Sequence, residues 1–208
     1  MQYIIMCGGP TLDEVTPRPL RVVNGEVLIE RTIRLLRCYG VTDIAISTTD
    51  DRFKKYGVPL LKHDNYIPGK EYHWLHCFYP ATRPVCYIYG DVYYSPYAIQ
   101  TIVTTHRNDI EFFASAPPFS PYYTKHSAEP FAFKVVDHKR FRECINKTLA
   151  LNAQHKFKRE AISWELWQVI CGTRLNHINY TNYVVINDYT ADVDSDAQGL
   201  LLEQYLKK

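Results

Sequence analysis

The chain opens with Tyr3-Ile4-Ile5-Met6-Cys7-Gly8-Gly9 and runs on through Pro10-Thr11-Leu12-Asp13-Glu14-Val15-Thr16-Pro17-Arg18-Pro19-Leu20. An apolar run broken by two glycines reads as a buried strand that delivers its carboxyl end to a polar, proline-marked loop. Glycine removes the Cβ that would hold backbone N–H groups away from an anion such as phosphate. The next helical pattern starts at Glu26, so the loop spans roughly twenty residues, against about 2–6 for an ordinary connection in an α/β unit. A loop of that length in that place is usually functional.

Outward from this loop, Glu26 to Tyr39 puts Val27, Leu28, Ile29, Ile33, Leu35 and Leu36 on one broad face, with Glu30, Arg31, Arg34 and Arg37 mostly opposite. That spacing predicts an amphipathic helix stopped by Gly40. Thr42 to Ser47 and, more weakly, Val58 to Leu61 read as strands, with a helical turn over Asp50 to Tyr56. The alternation of strand and helix predicts a mostly parallel sheet joined by right-handed crossovers. Glu71 to Phe78 reads as helical, and Val85-Cys86-Tyr87-Ile88-Tyr89 is the clearest buried strand, ending at Gly90-Asp91. Ligands of open α/β sheets bind outside the carboxyl ends of the strands, so Asp91 and the Met6-Cys7-Gly8-Gly9 turn are expected to share one crevice.

Further on, Pro96 opens a helix to His106, and Ile110 to Ala116 is a strand. Pro117 to Glu129 is dense in proline and aromatic residues and reads as a shaped loop or lid. Phe131 to Val136 is a strand, His138 to Leu151 and Ala161 to Cys171 are helices, and Tyr183 to Ile186 is a strand. Asp192-Val193-Asp194-Ser195 then precedes a last helix from Asp196 to Leu206, with Ser195 or Asp194 as its N-cap.

At 208 residues the chain is long enough for one sizeable domain, residues 1–208, and it carries no linker, low-complexity tract or repeat. A net charge of +2 argues against a nucleic-acid partner. No basic stretch followed by an apolar one opens the chain, and no run approaches the eighteen or so apolar residues of a membrane span. A soluble cytoplasmic location with no membrane partner is expected. Six dispersed cysteines without a Cys-x-x-Cys pair suit reduced, mostly buried thiols. His73 and His76 have a spacing that places two imidazoles on one helical face, but no third ligand motif accompanies them. Trp164-Glu165-Leu166-Trp167 reads as a helix whose tryptophans are either core or the interface of a homodimer.

The glycine turn with Pro17-Arg18-Pro19-Leu20, Gly90-Asp91 after a central strand, and Asp192-Val193-Asp194 before the final helix together resemble the pyrophosphorylase-like nucleotidyltransferases. These are the single-domain sugar-phosphate nucleotidyltransferases and small cytidylyltransferases, and the resemblance covers most of the chain. It implies a three-layer α/β/α sandwich on a Rossmann-like sheet of the nucleotide-diphospho-sugar transferase type. It also implies transfer of an NMP group from an NTP, CTP or UTP favoured, to a sugar phosphate, polyol phosphate or phosphocholine, with release of pyrophosphate.

On the same resemblance Arg18, Asp91 and Asp194 are catalytic, and Met6, Cys7, Gly8, Gly9, Arg18, Gly90 and Asp91 bind the nucleotide. Asp91 and Asp194, with Asp192, hold Mg²⁺. Such chemistry asks the protein to position anions and neutralise charge rather than to supply a nucleophile. Tyr122, Tyr123, His126, Glu129 and Glu165 are candidates for the acceptor, and Phe119 with Tyr122 and Tyr123 is one way to cage a quaternary ammonium. The first loop departs from the family's Gly-x-Gly-x-Arg in having no arginine, with Arg21 the candidate substitute, and arginine replaces the family's lysine at position 18. Each residue also has a plainer reading: Asp91 as a turn cap, Asp192 and Asp194 as caps of the last helix. A glycosyltransferase of the related fold, or a silent nucleotide-binding relative, are the competing functions.

Overall fold

Residues 1–8, 16–63, 74–117 and 128–208 are described by the computed structural model. The opening apolar run forms β1 (Gln2–Met6), which lies in the middle of a seven-stranded sheet. A 3₁₀ turn at Arg18–Leu20 leads into β2 (Val22–Val23), β3 (Glu26–Val27), α1 (Leu28–Cys38) and β4 (Ile44–Ser47). After a 3₁₀ segment at Asp51–Tyr56 come β5 (Leu60–Leu61), a 3₁₀ turn at Trp74–Cys77, β6 (Val85–Tyr89), β7 (Val92–Tyr93) and α2 (Pro96–Thr104). The remaining elements are β8 (Ile110–Ser115), β9 (Glu129–Val135), α3 (His138–Ala153), α4 (Ser163–Cys171), β10 (Val184–Val185), β11 (Ala191–Asp192) and α5 (Asp196–Leu206).

The sheet order is β10-β8-β9-β6-β1-β4-β5, and β9 alone runs antiparallel to its neighbours. Alternate residues of the central strands face opposite layers, as a period of two requires. Tyr3, Ile5, Cys86 and Ile88 pack with Ile29, Ile33 and Leu36 of α1 and Ile99 and Ile102 of α2. Ile4, Met6, Val85 and Tyr87 pack with Phe141 of α3 and Trp164, Leu166 and Trp167 of α4. Fully buried side chains such as Ile4, Ile5 and Ile88 each contribute roughly 1.5–3 kcal/mol. The expected three-layer α/β/α arrangement on a mostly parallel sheet is what forms.

Several boundaries differ from the sequence reading for local reasons. The helix expected from Glu26 begins at Leu28, because Glu26 and Val27 pair with Val23 and Val22 across the Asn24-Gly25 turn. Both turn residues have positive φ, 51° and 75°, which is the conformation an Asn-Gly hairpin turn needs. In place of a helix over Glu71 to Phe78, the described part is the single 3₁₀ turn Trp74–Cys77, and residues 71–73, His73 among them, lie outside the described residues. All six cysteines are free, but only Cys86 is fully buried; Cys7, Cys77, Cys144 and Cys171 are partly buried and Cys38 is exposed, so the expected mostly buried thiols are mostly half-buried ones. Trp164 and Trp167 are core residues, so neither is open to a partner subunit. No helix among the described residues is long and apolar enough to cross a membrane.

Candidate active site

The chain leaves β1 toward β4 on one side and returns with β6 on the other, so the sheet's topological switch lies between β1 and β6. Crevices of this fold type open there. Met6 stands opposite Tyr89 in the parallel register, and the Gly90 N–H donates to the Met6 carbonyl at 3.1 Å. A Cβ on Gly90 would come within 2.7 Å of both Cys7 Sγ and the Met6 oxygen, and 3.2 Å from Pro19 Cγ. Only glycine fits so close an approach. The turn carrying Asp91 is therefore held directly against Cys7 and against the Pro19 end of the opening loop.

The C-terminal acids reach this turn through a second, two-stranded pairing. β11 runs antiparallel to β7 with Asp192 opposite Val92, and the Val193 N–H donates to the Asp91 carbonyl at 2.8 Å. Ser195 caps α5 by accepting from the Gln198 N–H, while Gln198 Oε1 accepts from the N–H groups of Asp194 and Ser195. Of the two caps considered from the sequence, Ser195 is the one used, which leaves the Asp194 carboxylate for other partners. Arg18 takes it, Nη1 to Oδ1 at 2.5 Å, and Arg21 donates to the Val193 carbonyl at 2.8 Å. Both arginines thus pin the Asp192–Asp196 segment to the end of the opening loop.

A cavity of about 510 Å³ opens at this junction. Its walls carry four carboxyl groups, Asp91, Glu129, Asp192 and Asp194, against one arginine, Arg18, among the described residues. The charge imbalance is felt. Burial, and after it the charge of Asp194, push the Asp91 carboxyl above its ordinary range, while Arg18 and Arg21 partly offset this. Asp192 is driven up more strongly, by burial first and then by Glu129, Asp194 and Asp91, and its carboxyl is hydrogen-bonded to that of Glu129.

Among the described residues no group of three histidine, cysteine or carboxylate side chains is set to hold a metal ion unaided. Two carboxylates, Asp91 and Asp194, facing a cavity that accumulates negative charge are nevertheless a donor set that fits Mg²⁺. That ion takes one or two protein carboxylates and completes its shell with phosphate oxygens and water.

Arg18, Asp91, Asp192, Asp194 and Glu129 line the one cavity; Met6, Cys7 and Gly90 lie against one another next to Asp91 but are not among its lining residues, and Gly8 follows Cys7 in the chain. Gly9, Tyr122, Tyr123 and His126, and Phe119 with them, lie outside the described residues. Glu165 is elsewhere: its Oε1 accepts from Arg159 Nε at 2.7 Å and its Oε2 from the Ile162 N–H at 3.0 Å. It is the acid of the first turn of α4 and does not line the cavity, so the acceptor role read from the sequence is not supported by its position. The sequence reading missed the Tyr89 hydroxyl, which bonds Ser163 Oγ, and the apolar lining from Trp74, Phe78, Pro130 and Ile162. No spacing signals these, because they come from four separate elements.

No protein-family model matches the sequence, and no curated protein sequence does. Solved structures do match in three dimensions. 4-Diphosphocytidyl-2C-methyl-D-erythritol synthase from Anaerococcus prevotii superposes with a TM-score of 0.59 at 14% identity, covering 100% of this chain and 96% of that one. CTP:phosphocholine cytidylyltransferase from Streptococcus pneumoniae gives 0.57 at 19% identity, over 99% and 98% of the two chains. The chain has the nucleotidyltransferase fold. Inositol-1-phosphate CTP transferase from T. maritima matches this fold as well, with a TM-score of 0.56 at 14% identity over 98% and 95%. Within the fold, the Gly90-Asp91 turn and the Arg18 segment of this chain occupy the switch point described above.

Proposed function

We propose that the protein is a Mg²⁺-dependent nucleotidyltransferase, moving an NMP group from an NTP, CTP or UTP favoured, to a small phosphorylated acceptor. The observation that carries the reading is the meeting of Arg18, Asp91 and Asp194 on one cavity at the switch point, where Gly90 lies against Cys7. In the reaction an acceptor phosphate oxygen attacks the α-phosphorus in line. A new P–O bond forms, the bond to the β-phosphate oxygen breaks, and pyrophosphate leaves with the electron pair. No protein nucleophile is required, and none lies on the described cavity wall in an activated form: burial raises the thiol of Cys77 to about 12.

What the chain supplies is placement and charge. Backbone at Cys7 and Gly8 offers an approach for phosphate oxygens, and Arg18 offers a planar fork of donors suited to them. Asp91 and Asp194 would hold Mg²⁺, which when bound neutralises phosphate charge and orients the triphosphate. Arg18 sits on Asp194 in the free protein, and a phosphate oxygen competes with that carboxylate for its guanidinium. Both side chains are about one-third exposed, 37% and 33%, so the contact is a modest one to exchange.

The test is pyrophosphate release from CTP, UTP, ATP and GTP with Mg²⁺ over sugar, polyol and amino-alcohol phosphates. Release that depends on one acceptor supports the reading. Nucleotide binding without release in any combination would instead identify a silent binding protein, and transfer of a sugar from a nucleotide-sugar a glycosyltransferase.

A further inference from the structure

We infer that the protein has a second ligand site beside α4, which takes a small aromatic carboxylate carrying a hydroxyl or N–H donor at the end far from its charge. Ile162 and Ser163 line the cavity at the switch point, whereas Glu165 and Gln168 line a separate cavity of about 290 Å³. The two share no lining residue among those described. The inference goes beyond the nucleotidyltransferase reading and does not depend on it.

The deep end of this cavity points to a ligand with a donor. Gln168 is 1% exposed, and its Nε2 donates to the carbonyls of Arg174 at 2.7 Å and His177 at 2.6 Å. Turning the amide over would set its oxygen against two carbonyl oxygens, so the orientation is fixed. Oε1 is then the polar atom of this side chain left over, and it has no hydrogen-bond partner among the described residues. Buried polar oxygens are nearly always bonded, and one that is not calls for a donor from outside the chain.

The sides and the rim supply the rest of the description. Phe157, 9% exposed, and the half-buried Leu175 and Ile178 make the sides apolar. Tyr180 adds a ring that is 38% exposed yet held edge-on against Trp164, with centroids 4.9 Å apart. A ring fixed in that way offers flat surface to a second ring. At the rim, Lys158 and Arg159 are both exposed. Glu165 is the one carboxylate of the described lining, and it is already engaged by Arg159 Nε and the Ile162 N–H. Two cations therefore meet one occupied acid, which favours an anion at the mouth. Water alone would answer Gln168 Oε1 but would be set against the apolar sides, where a buried water needs 2–4 polar partners. A flat molecule with its charge at the rim and its donor at depth answers all three layers.

The experiment titrates the intact protein with three probes by calorimetry. 4-Hydroxybenzoate has both features; 4-methylbenzoate keeps shape and charge but removes the donor; 4-hydroxybenzamide keeps the donor but removes the charge. 4-Hydroxybenzoate is expected to bind roughly tenfold tighter than either, the size of one hydrogen bond to a buried acceptor. Lys158→Met changes an exposed side chain, and should weaken both carboxylates by about threefold while the amide is unaffected. In Gln168→Met the advantage of 4-hydroxybenzoate over 4-methylbenzoate should vanish. That variant also gives up two contacts to the loop, so if it does not fold, the three probes on the wild type and on Lys158→Met decide. Equal affinity for 4-hydroxybenzoate and 4-methylbenzoate overturns the proposal, as does binding that Lys158→Met leaves unchanged. Binding of none of the probes also overturns it, and leaves Gln168 Oε1 to an ordered water.

Discussion

Two acidic regions of the molecule use the same side-chain chemistry to opposite effect. At the first turn of α4, Glu165 is 3% exposed, with one oxygen on Arg159 and the other on the Ile162 N–H. At the switch point, Asp91, Glu129, Asp192 and Asp194 crowd one cavity with Arg18, and burial and mutual repulsion raise two of them. The satisfied acid holds a helix end in place. The crowded acids instead face a cavity, two of their carboxyls pushed up by burial and by one another, a pattern that clusters at functional sites.

That contrast is broken or sharpened by removing acids one at a time. Asp91→Asn is expected to abolish nucleotidyl transfer while raising the metal-free melting temperature, because the neutral amide relieves a carboxylate disfavoured by burial and by Asp194. Calorimetry and a pyrophosphate assay on one preparation read both effects, and unchanged turnover would remove Asp91 from the site. Arg18→Ala should lower kcat/KM by two orders of magnitude or more, in line with about 2.7–4 kcal/mol for a contact to transition-state charge. A rise in KM alone would mark Arg18 as a binder of the ground state.

Two smaller effects concern the scaffold on each side. Gly90→Ala forces Cys7 and the Met6 carbonyl apart and should cost about 1–3 kcal/mol, with turnover falling further than stability accounts for. Denaturant melts beside kinetics check this; a stable, fully active variant would mean the close approach has no role. Glu165→Gln is expected to cost about 1 kcal/mol through the helix end, a shift of roughly 2–4 °C, with kcat unchanged. Loss of activity without loss of stability there would return Glu165 to the site.

The strand-and-helix alternation was legible because the segments that build the central sheet are long and periodic. Val85 to Tyr89 and Asp196 to Leu206 form the elements the sequence suggests, residue for residue. The pairing of β7 with β11 was not legible, since two-residue strands carry no period, yet it is this pairing that brings Asp192 beside Val92. The hairpin at Asn24-Gly25 had a visible turn signal that the apolar run after it overshadowed. In the site, residues marked by glycine or proline neighbours, Arg18 and Asp91, could be named in advance. Trp74, Phe78 and Ile162 could not, because an apolar residue on a cavity wall looks in sequence like any core residue.

The measurement that bears most directly on the account is acceptor-dependent pyrophosphate release by the wild-type chain and by Asp91→Asn, run in parallel with Mg²⁺ and each of the four common NTPs. The account predicts release with at least one pyrimidine nucleotide and a phosphorylated acceptor in the wild type, and none in the variant at an equal or higher melting temperature. Absence of release across the whole wild-type panel, or equal release from the two proteins, would contradict it.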